Sequence, residues 1–174
     1  MEPMLVLRHR RVVAILATAV AALIVFVLLY FEPQKLFIDD EVHEALPIAM
    51  APSSAPAQSA GRPKVRVIST GRFRSYEHAT SGRVRVLELP GSRRYVRFDR
   101  FRTSNGPALK VYLSAARASG PGDAFDDRYV SLGDLKGNIG EQNYALPPDV
   151  ELSRYRSVVI WCKRFSVAFG AAAL

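Results

Sequence analysis

An all-β domain, a sandwich or a partly closed barrel preceded by a single N-terminal transmembrane helix, is the fold class this sequence predicts. Three observations carry that reading. A run of twenty residues near the N-terminus has no charge, proline or glycine. From Lys64 onward the chain breaks into short runs that alternate apolar and polar residues. Proline, glycine, serine and asparagine cluster between those runs, where a β domain places its turns.

The apolar run is Val12 to Phe31, VVAILATAVAALIVFVLLYF. At about 1.5 Å per residue it spans roughly 30 Å, the thickness of a hydrocarbon core. Arg8, Arg10 and Arg11 precede it, while Glu32, Asp39, Asp40, Glu41 and Glu44 follow it against Lys35 alone. Basic flanks stay on the cytoplasmic side, so residues 1–11 are expected inside and everything after Glu32 outside, at the cell membrane. A cleaved signal peptide would carry a shorter apolar run followed by a small-x-small site. Tyr30-Phe31-Glu32-Pro33 is a poor cleavage site, which favours an uncleaved anchor over cleavage after Ala49 or Ala51.

Residues 32–61 read as a flexible stalk, acidic first and then rich in proline, alanine and serine. Such a segment buries too little apolar surface to offset its ordering entropy. As a coil it would reach roughly 30 Å. His43 falls in the stalk and His9 in the tail, so neither is expected to be held as a ligand.

Residues 62–174 form the expected β domain. Its runs are Val65–Ile68, Arg83–Leu89, Tyr95–Phe98, Leu109–Leu113, Tyr129–Leu132 and a final segment from Ser157. Turn signals separate them at Ser81-Gly82, Pro90-Gly91, Asn105-Gly106-Pro107, Gly120-Pro121-Gly122, Gly137-Asn138 and Pro147-Pro148. In the final segment, alternation puts Val158, Ile160 and Cys162 on one face and Val159, Trp161 and Lys163 on the other. Both faces are apolar as far as Cys162, so this strand is expected to be packed from two sides.

Residues 61–174 hold twenty Lys and Arg against ten Asp and Glu. Arg83, Arg85, Arg93, Arg94, Arg97, Arg100 and Arg102 crowd the strands and turns. Two readings follow: a face for an anionic surface polymer or lipid headgroups, or a solvated face that keeps sheet edges apart. Nucleic acid is not expected outside a membrane.

Familiar catalytic patterns are absent. There is no Cys-x-x-Cys, Cys-x-x-Cys-His, His-Glu-x-x-His, Gly-x-Ser-x-Gly or P-loop, hence no hydrolase or transferase signature and no metal site. The glycines from Gly133 to Gly140 read as tight turns, and Asp123, Asp126 and Asp127 as a polar loop. Cys162 and His78 remain as the soft ligands within the domain. By residues alone, Cys162 is a small buried hydrophobe or a thiol activated by Lys163 and Arg164, and His78 is a turn residue or a ligand.

Four blocks carry a resemblance. They are Gly71-x-Phe73 with His78-x-x-Ser81-Gly82; Gly106-Pro107-Ala-Leu109-Lys-Val111-Tyr-Leu113-Ser114; Leu132-Gly-x-Leu-Lys-Gly-Asn138-x-Gly140-x-Gln142-x-Tyr144; and Tyr155-x-Ser-Val-Val-Ile-Trp-Cys162-x-x-Phe165-Ser-Val-x-Phe169-Gly-x-Ala-x-Leu174. Together they resemble the DM-thirteen domain, which accompanies DOMON domains in Skeletor-like proteins and stands alone in bacterial membrane-anchored ones. The resemblance covers about residues 64–174. It implies an extracellular β module for electron transfer or oxidative modification. It also implies that Cys162 is a redox thiol or a ligand to a prosthetic group such as haem, and that His78 belongs to the family's histidine pattern. This chain has no DOMON or cytochrome domain, so the resemblance implies a separate redox partner protein. A non-catalytic binding module with an inert Cys162 is the alternative.

Overall fold

The computed structural model describes residues 2–31, 38–47 and 65–174. Helix α1 covers Glu2–Phe31, starting ten residues before the apolar run. It is long and apolar enough to cross a membrane, and its side chains from Arg10 to Tyr30 are exposed, with the Arg164 guanidinium 4.6 Å from the Tyr30 ring. A helix apolar on all sides is stable when lipid surrounds it.

The other described residues build one nine-stranded sheet, curled into a half-barrel. Its strands are β1 (Glu41–His43), β2 (Arg66–Ser75), β3 (Ser81–Leu89), β4 (Arg93–Arg102), β5 (Leu109–Ser114), β6 (Tyr129–Asp134), β7 (Ile139–Ala145), β8 (Ser157–Cys162) and β9 (Val167–Ala173). The order across the sheet is β1-β7-β4-β3-β2-β9-β8-β5-β6, antiparallel everywhere except β1 on β7. Of the two expected architectures the partly closed barrel is therefore found, not the sandwich. Register shifts in the β2–β3, β3–β4, β4–β7, β5–β6 and β8–β9 pairs supply the curl, because each extra residue bends its strand and increases its twist.

Inside the curl, alternate side chains make the main core: Val84 and Val86, Val96 and Phe98, Val111 and Leu113, Val158 and Ile160. Phe73 joins the two halves of the sheet, since β2 leaves β3 and pairs Phe73 with Ala172 of β9. Its ring meets Phe98 edge-on at 5.1 Å. A second, smaller core lies on the outer side of β8, where Val159, Trp161 and Ala171 are covered by Tyr112, Phe125 and Tyr76.

One part of the segment expected to be a stalk is instead docked. Residues 41–43 form β1 along β7, and Pro47 is buried. Backbone contact is close enough to require glycine in β7. Gly140 has φ +106°, and a Cβ there would lie 2.1 Å from the Val42 carbonyl. The acidic part of the expected stalk is bound here: the Glu44 carboxylate accepts from Lys136 Nζ and from the Asn143 N–H, both at 2.6 Å. Arg97 donates to the Glu44 carbonyl at 3.0 Å. Residues 32–37 and 48–61 of the expected stalk lie outside the described residues.

Candidate functional site

Strand β8 is buried on both faces, as its alternation requires. Cys162 ends the inward face. It is fully buried, opposite Leu109 on β5 and Val167 on β9, and its thiol donates to the Pro107 carbonyl at 3.2 Å. The neighbouring Lys163 N–H donates to the Ala108 carbonyl at 3.1 Å. Cys162 is thus not at the surface beside Lys163 and Arg164, which begin the β8–β9 turn; the 105–108 segment closes over it. Trp161 points outward, stacked 6.3 Å from Tyr112, which stacks 4.0 Å from Tyr129. Burial, then Tyr129, pushes the Tyr112 phenol up to about 12.

His78 stacks on Phe169, ring centroids 3.8 Å apart. Through that ring it is linked to the segment that covers Cys162. The Phe169 ring lies so close to Gly106 that a Cβ there would sit 2.9 Å from it. Around them runs a buried polar chain. Thr80 Oγ1 contacts the Thr103 hydroxyl at 2.8 Å and donates to the carbonyl of His78 or Phe169, both at 3.1 Å. Asn138 Nδ2 donates to the Thr103 carbonyl at 3.1 Å and to Asp39 at 2.7 Å, while its oxygen accepts the Asp40 N–H at 2.7 Å. Asn105 reaches the Ile38 carbonyl at 3.0 Å. One barrel end therefore gathers Cys162, His78, Phe169, Gly106–Pro107, Asn138 and the docked strand.

Reading residue types had singled out only Cys162 and His78 here. Thr80, Thr103 and Asn138 are unremarkable by type; Gly106-Pro107, Asn138 and Phe169 stand in the blocks that carried the resemblance. Those blocks are distant in sequence and meet at this end.

The arginines divide into two groups. Arg85 grips Asp99 through two hydrogen bonds of 2.6 and 2.8 Å, and buried Arg97 adds a third at 2.9 Å. Burial raises the Asp99 pKa, but the two guanidiniums outweigh it and hold the carboxyl below its ordinary range. Arg94 donates to the Pro148 and Val150 carbonyls. These three, which the sequence left open between a ligand face and a solvated one, brace the fold. Arg72, Arg74, Arg117 and Arg156 instead line one open cavity of about 400 Å³.

No group of three or more His, Cys, Asp or Glu side chains able to hold a metal occurs among the described residues. A haem does not fit at Cys162 either. The sulfur is fully buried and hydrogen-bonded to a carbonyl. The cavity beside residues 106–109 is about 200 Å³ and walled by Asp40, Asn105, Asp134 and Asn138, below the roughly 300–1,000 Å³ of typical ligand sites.

Fold and site define a small β module with one sequestered thiol. The family model described as "Electron transfer DM13" matches residues 72–174, and the chain belongs to that family. It is a redox, electron-transfer module. No curated protein and no solved structure matches the chain.

Proposed function

We propose that α1 anchors the chain as a single-pass membrane protein with the β domain outside the cytoplasm, and that Cys162 is the group that exchanges electrons with a separate partner protein. The observation that carries this reading is the guarded thiol. Cys162 is the single sulfur in residues 51–174, and one backbone carbonyl closes its access. The basic flank before α1 and the acidic one after it support the orientation. Only six residues separate Phe31 from Ile38. Fully extended, that link reaches about 25 Å. Ile38 is bonded at the Cys162 end, so this end stays near the bilayer, far less free than a thirty-residue stalk would allow.

Access to the sulfur requires the 105–108 segment to lift. Ala108, beside Pro107, has φ +57°, a left-handed conformation that costs a non-glycine residue about 1 kcal/mol. Once the segment lifts, the thiol loses its proton to solvent and attacks one sulfur of a partner's disulfide. The partner's S–S bond breaks and a Cys162–partner bond forms. The other partner sulfur leaves as a thiolate and takes up a proton. A thiolate of a second, reduced protein then attacks the partner's sulfur in that mixed disulfide and forms a new S–S bond with it, while Cys162 leaves as a thiolate and is reprotonated. An electron pair has then passed from the second protein's thiol to the first partner's disulfide. Ala108→Gly relieves the strain and is expected to slow maleimide labelling of the full chain in detergent by about fivefold. A Cys162 that labels at the rate of an unfolded thiol, or a Soret band in the purified chain, contradicts this reading.

Burial of Cys162 favours one other reading, a binding module in which the sulfur only packs. It separates cleanly: Cys162→Ala abolishes mixed-disulfide capture of a partner under the first reading and changes no phenotype under the second.

A further inference from the structure

The four arginines of the open cavity come from three separate places, and each is held by its backbone. Arg72 and Arg74 flank inward-facing Phe73 on β2 and so point outward. Arg117 sits in the turn after β5, which the Tyr76 hydroxyl fixes through contacts of 2.8 and 2.7 Å to the Ala118 and Gly120 carbonyls. Arg156 precedes β8, its N–H bonded to the Ser114 carbonyl at 2.8 Å and its carbonyl to the Leu174 N–H at 3.0 Å. Small residues explain the hollow between them: Ala118 and Ala173 line it, and their short side chains leave space that larger ones would fill. Arg74 lies over the Tyr76 ring at 5.6 Å. Among the described residues none of the four makes an ion pair, and no Asp or Glu lines the cavity.

The row continues. A second hollow of about 260 Å³ shares Arg72 and adds Arg83 and Arg100. Arg72 and Arg83 are directly opposed on β2 and β3. Its one acid, Asp99, is already occupied by Arg85 and Arg97. From β4 to β5 through β3, β2, β9 and β8, the six arginines cross five strand spacings, roughly 24 Å. Like charges brought together repel one another, and an anion relieves that cost. Guanidinium forks match oxyanions, whether carboxylate or phosphate.

We infer that this row is a binding groove for an acidic polymer bearing one carboxylate or phosphate per repeat, with the 72-74-117-156 cavity as its centre. A polymer fits better than a small ion because the charges are spaced along a line. It fits better than lipid headgroups because Arg117 and Arg156 lie beyond the Ser114–Ser157 pair, at the end of β5 and β8 opposite Leu109–Cys162. Five residues of strand, about 17 Å, separate those two ends. This choice rests on the membrane-anchored reading; the groove itself does not depend on Cys162.

The test uses the full chain in neutral phosphatidylcholine nanodiscs and in detergent. Fluorescent polygalacturonate and inorganic polyphosphate are the probes, across a salt series. Wild type is expected to bind either polymer with affinity falling steeply as salt rises. Arg72→Gln with Arg74→Gln, and Arg117→Gln with Arg156→Gln, should each weaken binding at least about tenfold at physiological salt. Arg93→Gln with Arg128→Gln, exposed arginines outside the groove, should change it less than about twofold. Equal losses in the control pair, or no binding by wild type, overturn the proposal. So does a groove-dependent affinity for phosphatidylglycerol vesicles that neither polymer competes away, which makes lipid the occupant. A chain that binds polymer in detergent but fails to insert into nanodiscs refutes the anchor alone.

Discussion

The two ends of the half-barrel solve the problem of polar groups in opposite ways. At the Cys162 end, hydroxyls, amides and carbonyls are buried and satisfied by one another. Thr80, Thr103 and Asn138 link β3, β4 and β7 to the docked strand, and Phe169 roofs the chain with His78 on top. At the other end, four guanidiniums stand in an open cavity lined by no Asp or Glu side chain. A closed polar network fixes a structure, because each member left without its partner costs its full desolvation penalty. An open set of like charges fixes nothing and leaves its bonding capacity for something else. The first end therefore stabilises the fold and sequesters a thiol; the second is available to a ligand.

The sharpest way to break this comparison is to remove the roof. Phe169→Ala should cost about 3–5 kcal/mol, the range for deleting a buried aromatic ring. Arg117→Gln with Arg156→Gln should stay within about 0.5 kcal/mol, as exposed substitutions do. Urea unfolding of both variants decides it. Comparable midpoint shifts would mean that the arginine end also carries the fold.

A smaller effect separates the polar network from simple apolar packing. Asn138→Ala leaves the Thr103 carbonyl and the Asp40 N–H without their side-chain partner, so a loss of about 2 kcal/mol is expected. Hydrogen exchange should speed up at the Glu44 N–H, which bonds to the Glu141 carbonyl. It should remain slow across β8. A uniform rise over the sheet would show that the docked strand and the barrel open as one unit.

How much of this was legible depended on which residues carry the alternation. Strands β3, β5 and β8 put Val, Leu and Ile inward, so the period of two was plain. Strand β7 was not seen, because its inward positions are polar. Gln142 is fully buried, donating to the Gly137 carbonyl at 2.7 Å and accepting from the Tyr144 hydroxyl at 2.5 Å. No hydropathy pattern marks a strand whose inward residues are a glycine, an amide and a tyrosine. Strand β1 was missed for a related reason: its neighbours Glu44 and Asp39 look like solvating charges until Lys136, Asn143 and Asn138 are folded beside them. Cys162 was found by type, but its closure by Pro107 depends on a contact across 55 positions of sequence.

The smallest expected effect concerns how firmly that strand is held as pH changes. His43 is raised above its ordinary 6.5, first by its hydrogen bond to Glu141 and then by Glu41. Glu141 is lowered from 4.5, mainly by the same bond. Burial raises Glu44, but Lys136 and the Asn143 N–H outweigh it, so it too ends below 4.5. The signs follow from linkage. The carboxylate contributions are complete above pH 4.5 and disappear as pH falls through the lowered folded values. The histidine contribution is complete below pH 6.5 and disappears as pH rises through its raised folded value. Docking of β1 should thus be firmest between pH 4.5 and 6.5. Protection of the Glu44 amide, corrected for intrinsic exchange, should peak there and decline on either side. His43→Ala should remove the alkaline decline and leave most of the acid one, because Glu44 still has Lys136. A wild-type profile that stays flat above pH 6.5 would show that the exposed His43–Glu141 pair adds nothing, and that backbone pairing with the Arg97 and Asn138 contacts alone holds the strand.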